Sequence, residues 1–135
     1  MDELLGQLRF KDGLIPAVIT ATDGQLLVLC YMDAEALRRT LETGLVHLFR
    51  RSRGRVMLKG ETSGHTQRVR EVRVDCEGNS LQFVVEQNVA ACHAGYMTCY
   101  YRRLNLETGA LEVCEERVFD PDSVYDAPSP EPPAT

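Results

Sequence analysis

Apolar and polar positions alternate in short stretches along most of this chain, which is the pattern of half-buried β-strands. Two apolar stretches, 14–20 and 26–31, flank a Thr-Asp-Gly turn and predict a β-hairpin. Farther along, Leu81, Phe83 and Val85 fall on one face, as in a strand with one buried side. The predicted strands are 14–20, 26–31, 46–49, 56–58, 69–76, 81–87, 99–104 and 110–118.

One helix interrupts this β pattern at about residues 34–42. Asp33 can cap its first turn, Leu37 and Leu41 recur at helical spacing, and Gly44 follows them as a C-terminal glycine does. We therefore predict an α+β fold that is mostly β. It should have one clear helix and a small mixed or antiparallel sheet or a barrel-like core.

The composition adds a domain count and a boundary. A chain of 135 residues with 44% hydrophobic and 26% charged residues is typical of one globular domain. Beyond residue 118 the sequence is rich in Asp, Ser and Pro, which removes backbone donors and opposes packing. We predict a folded domain at 1–118 and a flexible C-terminal tail at 119–135 that takes no part in the chemistry.

The charge pattern argues against several partners. A formal net charge of −5 argues against a general nucleic-acid binder, whose surface would be basic. No apolar stretch reaches the roughly 20 residues that span a bilayer, and the acidic first residues lack the features of a signal peptide. We therefore expect a cytoplasmic protein with no nucleic-acid partner and no membrane partner.

Five cysteines are an odd number, and a reducing compartment keeps thiols free, so a disulfide framework does not account for them. Cys30 lies within an apolar run and Cys114 within a predicted strand, so both are expected to be small buried residues. The other three, Cys76, Cys92 and Cys99, lie in polar, turn-rich sequence. Three thiolates suit a catalytic zinc site with water in the fourth position. A fourth protein ligand, such as the histidine after Cys92, would make that site structural.

A second candidate site is the glycine-rich segment 59–67. Backbone freedom at its glycines lets amides and hydroxyls approach a ligand closely, and Lys59 can contact phosphate. The alternative is a solvated hairpin loop. The basic run 50–55, which includes Arg51 and Arg53, comes just before it. Most such runs are solvated, but in an acidic protein this one favours a local anion site for a phosphorylated metabolite.

Taken in order, these motifs resemble those of the phosphoribosyl-AMP cyclohydrolase family of histidine biosynthesis. The matching segments are 13–17, 31–37, 52–53, 59–65, 75–76, 85–87, 91–93 and 99–102. The resemblance implies a hydrolase that breaks the N1–C6 bond of the adenine ring in phosphoribosyl-AMP and so opens the six-membered ring. It also implies the monofunctional form, because the tail is too short and too rich in proline for a second, pyrophosphohydrolase domain.

The resemblance further implies an intertwined homodimer with a zinc site shared across the subunit interface. Cys76 would come from one subunit and Cys92 and Cys99 from the other, and zinc-activated water would attack the ring carbon. His93 and His65 are the candidates for moving protons. For each of them, a histidine that is merely buried or that fixes a loop is the alternative.

The same resemblance implies the remaining roles. Lys59 and Glu61 join the two histidines in the catalytic set. In the substrate-binding set, charged side chains would hold the phosphates and hydroxyls would donate hydrogen bonds. The residues of that second set are Arg51, Arg53, Lys59, Thr62 and Ser63.

The chain departs from the family pattern next to Cys76. The family carries Asp-Cys-Asp-x-Asp, which binds magnesium, whereas this chain has Asp75, Glu77 and Asn79 at the acidic positions. Glutamate has a longer arm and asparagine carries no charge. We therefore expect a weakened magnesium site.

Two further departures lie near the other motifs. Met57 replaces the usual tryptophan before Lys-Gly-Glu, and Val89-Ala90 replaces the usual Gly-Pro before Ala-Cys-His. The altered positions keep open a second interpretation, a paralogous zinc hydrolase that acts on another purine-like or heterocyclic substrate. A third interpretation is a zinc-stabilised dimeric binding module without catalysis. The retained lysine, glutamate and histidines disfavour it, because a structural zinc site needs none of them.

Overall fold

The computed structural model describes residues 2–124. Within that range the chain forms eight strands and three helices, so it is mostly β, as predicted. In chain order the elements are α1 (Asp2–Gln7), β1 (Ile15–Ala21), β2 (Leu26–Met32), α2 (Ala34–Thr43), β3 (His47–Arg50), β4 (Arg55–Leu58), β5 (Gln67–Val74), β6 (Leu81–Gln87), β7 (Arg102–Leu104), β8 (Leu111–Val113) and α3 (Pro121–Val124). Most of the predicted tail, residues 125–135, lies outside the described range.

Four strands form one sheet in the order β2-β1-β6-β5. Strand β1 pairs antiparallel with β2 and parallel with β6, and β6 pairs antiparallel with β5. The sheet is therefore mixed, which confirms one of the predicted arrangements. Its outer strands are β2 and β5, so among the described residues the sheet does not close into the barrel considered as an alternative. The remaining strands form two separate hairpins, β3–β4 and β7–β8.

One face of the four-stranded sheet builds the core. The predicted face of β6 is buried, with Leu81, Phe83 and Val85 exposing 1%, 0% and 0% of their surface. Leu37 of α2 and Val46, just before β3, pack into the same cluster. The core therefore lies between the sheet and the segment from α2 to β3, and the loops at the ends of β6 remain available for function.

Helix α2 forms where its sequence predicts it and ends at Thr43. The Asp33 carboxylate accepts a hydrogen bond from the Ala36 N–H at 2.7 Å, which satisfies a donor that the first turn leaves unpaired. Gly44 takes a φ of 77°, and its N–H donates to the Thr40 carbonyl, a left-handed end that suits glycine. None of the described helices is long and apolar enough to cross a membrane.

Strand β5 ends two residues earlier, and strand β7 begins three residues later, than their apolar patterns predict. Strand β5 ends at Val74, so Cys76 lies in the turn after the strand. Strand β7 begins only at Arg102, because the Cys99 N–H donates to the Leu27 carbonyl of β2 at 2.7 Å instead of to a hairpin partner. Both cysteines therefore lie in loops, where a thiol can reach a ligand.

The two cysteines expected to be buried differ from each other. Cys30, in β2, exposes 2% of its surface, and burial raises the pKa of its thiol to about 12. Cys114 is only partly buried, because β8 ends at Val113. Its N–H pairs with the Tyr101 carbonyl at 2.8 Å outside the strand. The prediction of a buried residue is confirmed for Cys30 and is wrong for Cys114.

Candidate active site

Two of the three predicted metal cysteines come together in the loop after β6. The Cys92 N–H donates to the Tyr96 carbonyl at 3.1 Å and the Ala91 N–H donates to the Met97 carbonyl at 3.0 Å, so the loop folds back on itself. Its far end is fixed to β2 through the backbone of Cys99. In this arrangement the thiols of Cys92 and Cys99 lie close enough that each shifts the pKa of the other.

This thiol pair loses a proton more readily than an isolated thiol. The neighbouring Cys99 thiol lowers the pKa of the Cys92 thiol to about 6, and the Ala94 N–H, 3.4 Å from Cys92 Sγ, acts in the same direction. The neighbouring Cys92 thiol, together with burial, raises the pKa of Cys99. The first proton of the pair is therefore lost at a lower pH than the second. A thiolate is the form of cysteine that binds metal ions.

Lys59 is buried beside this thiol pair, with 9% of its surface exposed. Its Nζ donates to the Ala91 carbonyl at 3.0 Å. Burial lowers the pKa of Lys59, while the charges of nearby cysteines, chiefly Cys99, act in the opposite direction. The amine therefore supports the loop that carries the cysteines, and it does not project into solvent as a phosphate-binding lysine would.

The glycine-rich segment forms a tight loop next to Lys59. Gly60 has a φ of 87°, and a Cβ there would lie 2.6 Å from the carbonyl carbon of His65, so only glycine fits. The Gly64 N–H donates to the Gly60 carbonyl at 2.8 Å, and Ser63 Oγ accepts from the His65 N–H at 3.1 Å. Thr62 lies exposed at the tip of this loop. The hydroxyl of Ser63 thus fixes the loop in this structure.

His65 faces inward from this loop and is buried. Its ring packs edge-on against the Phe119 ring, with centroids 4.8 Å apart. Burial lowers the pKa of His65, and the charge of Lys59 lowers it further. His65 is therefore neutral at physiological pH, with a ring nitrogen able to accept a proton.

The other two predicted catalytic side chains are more exposed. His93 follows Cys92 directly and lies at the surface, and its charge contributes to the lowered pKa of Cys92. Glu61 is about half exposed and forms a long ion pair with Arg55, with 3.8 Å between the nearest nitrogen and oxygen. Neither side chain is buried, so both are accessible to a substrate.

The predicted anion-binding arginines lie apart from the glycine-rich loop. Arg51 and Arg53 belong to the turn between β3 and β4, whereas Lys59 follows the other end of β4. Four extended residues separate the two ends by about 13 Å. The Arg51 guanidinium packs over the Tyr31 ring at 4.2 Å from its centroid. The arginine turn and the glycine-rich loop therefore lie at opposite ends of β4.

Cys76 is not brought to the thiol pair within one chain. It is exposed in the turn after β5, whereas Cys99 is bonded to β2, and these are opposite edges of the four-stranded sheet. Three strand spacings amount to about 14 Å, far more than two Zn–S bonds of about 2.3 Å can bridge. Within the part of the chain that the structure describes, no three His, Cys, Asp or Glu side chains are grouped to hold a metal ion.

The predicted magnesium residues form a self-contained turn. Asp75 Oδ1 accepts from the N–H groups of Glu77 and Asn79 at 3.0 and 2.9 Å, and Oδ2 accepts from Ser80 Oγ at 2.6 Å. These bonds lower the pKa of Asp75, with the Ser80 hydroxyl contributing most. The carboxylate of Asp75 is thus occupied within its own turn.

Several residues that support the site carry no obvious chemical signal. Asn88 Nδ2 donates to the Gly64 carbonyl at 2.8 Å, and Gln87 Nε2 donates to the His65 carbonyl at 3.2 Å. Gly95, with a φ of 102°, leaves room for the Phe119 carbonyl. In the sequence, these positions show only two amide residues where an apolar strand ends and a glycine two residues after His93. Neither feature by itself indicates a functional role.

Comparison with known proteins shows which family this sequence resembles. The family model of phosphoribosyl-AMP cyclohydrolase matches residues 28–101, which include all three candidate zinc cysteines and the glycine-rich loop. The matched range thus contains both parts of the candidate site.

Individual relatives extend the similarity to most of the chain. A phosphoribosyl-AMP cyclohydrolase from Haloquadratum walsbyi is 48% identical over 122 residues, which covers 89% of each chain. One from Haloarcula marismortui is 51% identical over 112 residues, or 82% of this chain and 89% of the relative. One from Methanosarcina barkeri is 50% identical over 119 residues, or 87% and 88%. This chain therefore belongs to the phosphoribosyl-AMP cyclohydrolase family.

Proposed function

We propose that this protein hydrolyses the N1–C6 bond of the adenine ring in phosphoribosyl-AMP, a step of histidine biosynthesis, with a zinc site that two copies of the chain share. The observation that carries the proposal is the Cys92–Cys99 thiol pair beside the buried Lys59. It lies within the segment that matches the family model.

The donor set fits zinc. Two cysteines with a thiolate already favoured at neutral pH are soft ligands that select this metal. Zinc, when bound, supplies a hydroxide close to neutral pH. Cys92 and Cys99 would hold it from one chain, and the exposed Cys76 of a second copy would complete the set, because the two parts lie on opposite edges of one sheet.

Other side chains of this protein would bind the substrate and move protons. The neutral His65 can accept a proton near the thiol pair, while the exposed His93 can exchange one with solvent. Lys59 keeps the cysteine loop in place through the Ala91 carbonyl. Phosphates would bind at Arg51 and Arg53, whose turn lies about 13 Å from the glycine-rich loop along β4.

Residues next to Cys76 do not fit a magnesium site. Hard cations need several free oxygen ligands, but the Asp75 carboxylate already accepts three hydrogen bonds within its turn. Glu77 and Asn79 add one charge between them where the family pattern has two. We therefore propose that any magnesium binding here is weak and that the reaction does not need it.

The test is to give purified, zinc-loaded protein phosphoribosyl-AMP with and without magnesium and to follow ring opening by ultraviolet absorbance. We expect turnover that magnesium changes little, and no ring opening of AMP, which lacks the N1 substituent. Cys92→Ser should lose zinc and activity together, whereas the control Cys114→Ser should retain both. An absence of turnover under every metal condition would refute the proposal.

A further inference from the structure

The β7–β8 hairpin carries aliphatic side chains that nothing in the described chain covers. No residue of either strand is buried, and an isolated two-stranded hairpin is at best marginally stable in water. Such a cluster of exposed aliphatic residues marks an interaction site. Its members, with the exposed fraction of each, are Leu104 (51%), Leu106 (89%), Leu111 (62%) and Val113 (58%).

Strand register divides the hairpin into two faces. Leu104 pairs with Leu111 and Arg102 pairs with Val113. Because side chains alternate along a strand, these four residues share one face, which we call the apolar hairpin face. Arg103 pairs with Glu112 on the opposite face. The hairpin therefore presents three aliphatic side chains and one arginine on one side and a charged pair on the other.

A groove of about 330 Å³ lies along β1, β6 and β5, near the turn from β5 into β6. Its apolar lining is Val18, Val74 and Leu81, and its polar lining is Arg73, Asp75, Ser80 and Gln82. We call this the turn groove. Asp75 immediately precedes Cys76, so the groove adjoins the exposed thiol.

We propose that the apolar hairpin face of one copy docks into the turn groove of a second copy and so brings Cys76 of that copy to the Cys92–Cys99 pair. The inference rests on the proposed shared zinc site. Arg102 begins the hairpin three residues after Cys99. The groove adjoins Cys76, and the hairpin follows Cys99. A metal ion that binds Cys76 of one copy and Cys99 of the other would therefore also place the groove of the first copy beside the hairpin of the second.

The apolar parts of the two surfaces match. Aliphatic side chains of the hairpin would pack on Val18, Val74 and Leu81, and Arg102 would pair with Asp75, the acidic residue of a lining that also holds Arg73. Each copy has one hairpin and one groove, so a two-fold dimer makes this contact twice and completes two sites. A single contact would thus bury the aliphatic side chains of the apolar hairpin face and complete the ligand set of the metal site.

Two substitutions at adjacent positions test the docking. Leu111→Lys places a charge on the apolar hairpin face, and Glu112→Lys places the same charge on the opposite face. Both positions are exposed, so both variants should fold. We expect Leu111→Lys to raise the dimer dissociation constant at least about tenfold, because its charge would be buried, and to reduce bound zinc. Glu112→Lys should leave both close to wild type, as measured by sedimentation and metal analysis.

Paired charges test whether the groove is the partner of the hairpin. Leu111→Glu and Val74→Lys should each weaken the homodimer. When the two variants are mixed, one contact joins glutamate to lysine and the other is unchanged, so mixed dimers should form more strongly than either homodimer. If neither variant weakens the homodimer, or if mixing them restores nothing, the docking is wrong.

The same experiments separate this inference from the proposed function. A wild-type dimer that binds zinc and opens the ring, but is unaffected by Leu111→Lys, would overturn the docking and leave the function intact. A wild-type protein that binds no zinc or has no activity would overturn the proposed function, and the docking that rests on it.

Discussion

Val89 adopts a backbone conformation that its side chain disfavours. Its φ of 63° lies in the left-handed region, where a β-branched residue is strained. The family usually has glycine at this position, and glycine takes such a φ without cost. The turn at Val89 leads from β6 into the cysteine loop, and the neighbouring Ala90 N–H donates to the Asn88 carbonyl at 2.9 Å. This chain thus forms the turn with a residue that is less suited to it than glycine.

Val89→Gly should stabilise the protein by about 1 kcal/mol, because it removes the left-handed strain and Val89 is half exposed, so little packing is lost. Val89→Ala is the matched control: it keeps a Cβ and should gain much less. Urea unfolding of the three proteins measures the difference. If the glycine and alanine variants are equally stable, backbone strain at Val89 does not explain the gain.

The neutral state of His65 predicts a dependence of stability on pH. Burial lowers its folded pKa below the ordinary value of about 6.5, so below pH 6.5 the unfolded chain binds more protons. The stabilising effect is present above that pH and is lost as pH falls toward the lowered pKa. His65→Asn should reduce the loss of thermal stability between pH 7 and pH 5. If thermal stability falls between pH 7 and pH 5 as much in the variant as in the wild type, His65 is not the cause of the loss.

At the scale of elements, the segment before α3 ties the two halves of the site together. The Val118 N–H donates to the Gly95 carbonyl of the cysteine loop at 2.7 Å, while the Phe119 ring packs against His65 of the glycine-rich loop. The tail was predicted to begin at residue 119 and to take no part in the chemistry. Its first residue contacts a candidate catalytic histidine.

Phe119→Ala should reduce kcat, up to about 100-fold, because a misplaced proton acceptor costs catalysis more than binding. Phe119→Leu, which retains bulk against the ring, should lose less. Steady-state kinetics across pH separates the effect from simple unfolding, since removing Phe119 should also raise the apparent pKa of His65 toward its ordinary value. A variant with wild-type kcat would show that the contact is dispensable.

Strand and helix positions were predictable where local pattern and burial agree. Strand β6 matches its prediction at both ends because its apolar face packs into the core, and α2 matches because Asp33 and Gly44 define its ends. The ends of β5 and β7 were not predictable, since a carboxylate turn and a bond to Leu27 decide them. Neither interaction can be recognised from the alternation of apolar and polar residues along the chain.

At the scale of the whole molecule, the sequence indicated the site residues but not their separation. Spacing alone allowed Cys76 to join Cys92 and Cys99 in one chain. The sheet order, with β2 and β5 at opposite edges, prevents it, and sheet order depends on long-range pairing that no short motif encodes. Arg51 and Lys59 are separated in the same way by the length of β4.

Removing zinc should weaken the dimer, because a metal ion bound by two chains contributes its binding free energy to their association. Sedimentation of the protein with and without a chelator should show a shift toward monomer, reversed by adding zinc. Cys76→Ser should dissociate to the same extent without chelator. A metal-free dimer as tight as the zinc-loaded one would contradict a bridging ion.

The placement of Cys76 away from the other two cysteines has a genetic consequence. If two copies share the zinc site as proposed, an allele that loses Cys76 and an allele that loses Cys92 would each specify an inactive enzyme. In a mixed dimer both lesions would fall in one site and the other site would be whole. A cell that expresses both alleles equally should recover about a quarter of normal activity, since about half of its dimers are mixed. Two histidine-requiring mutants could therefore restore growth to each other without recombination.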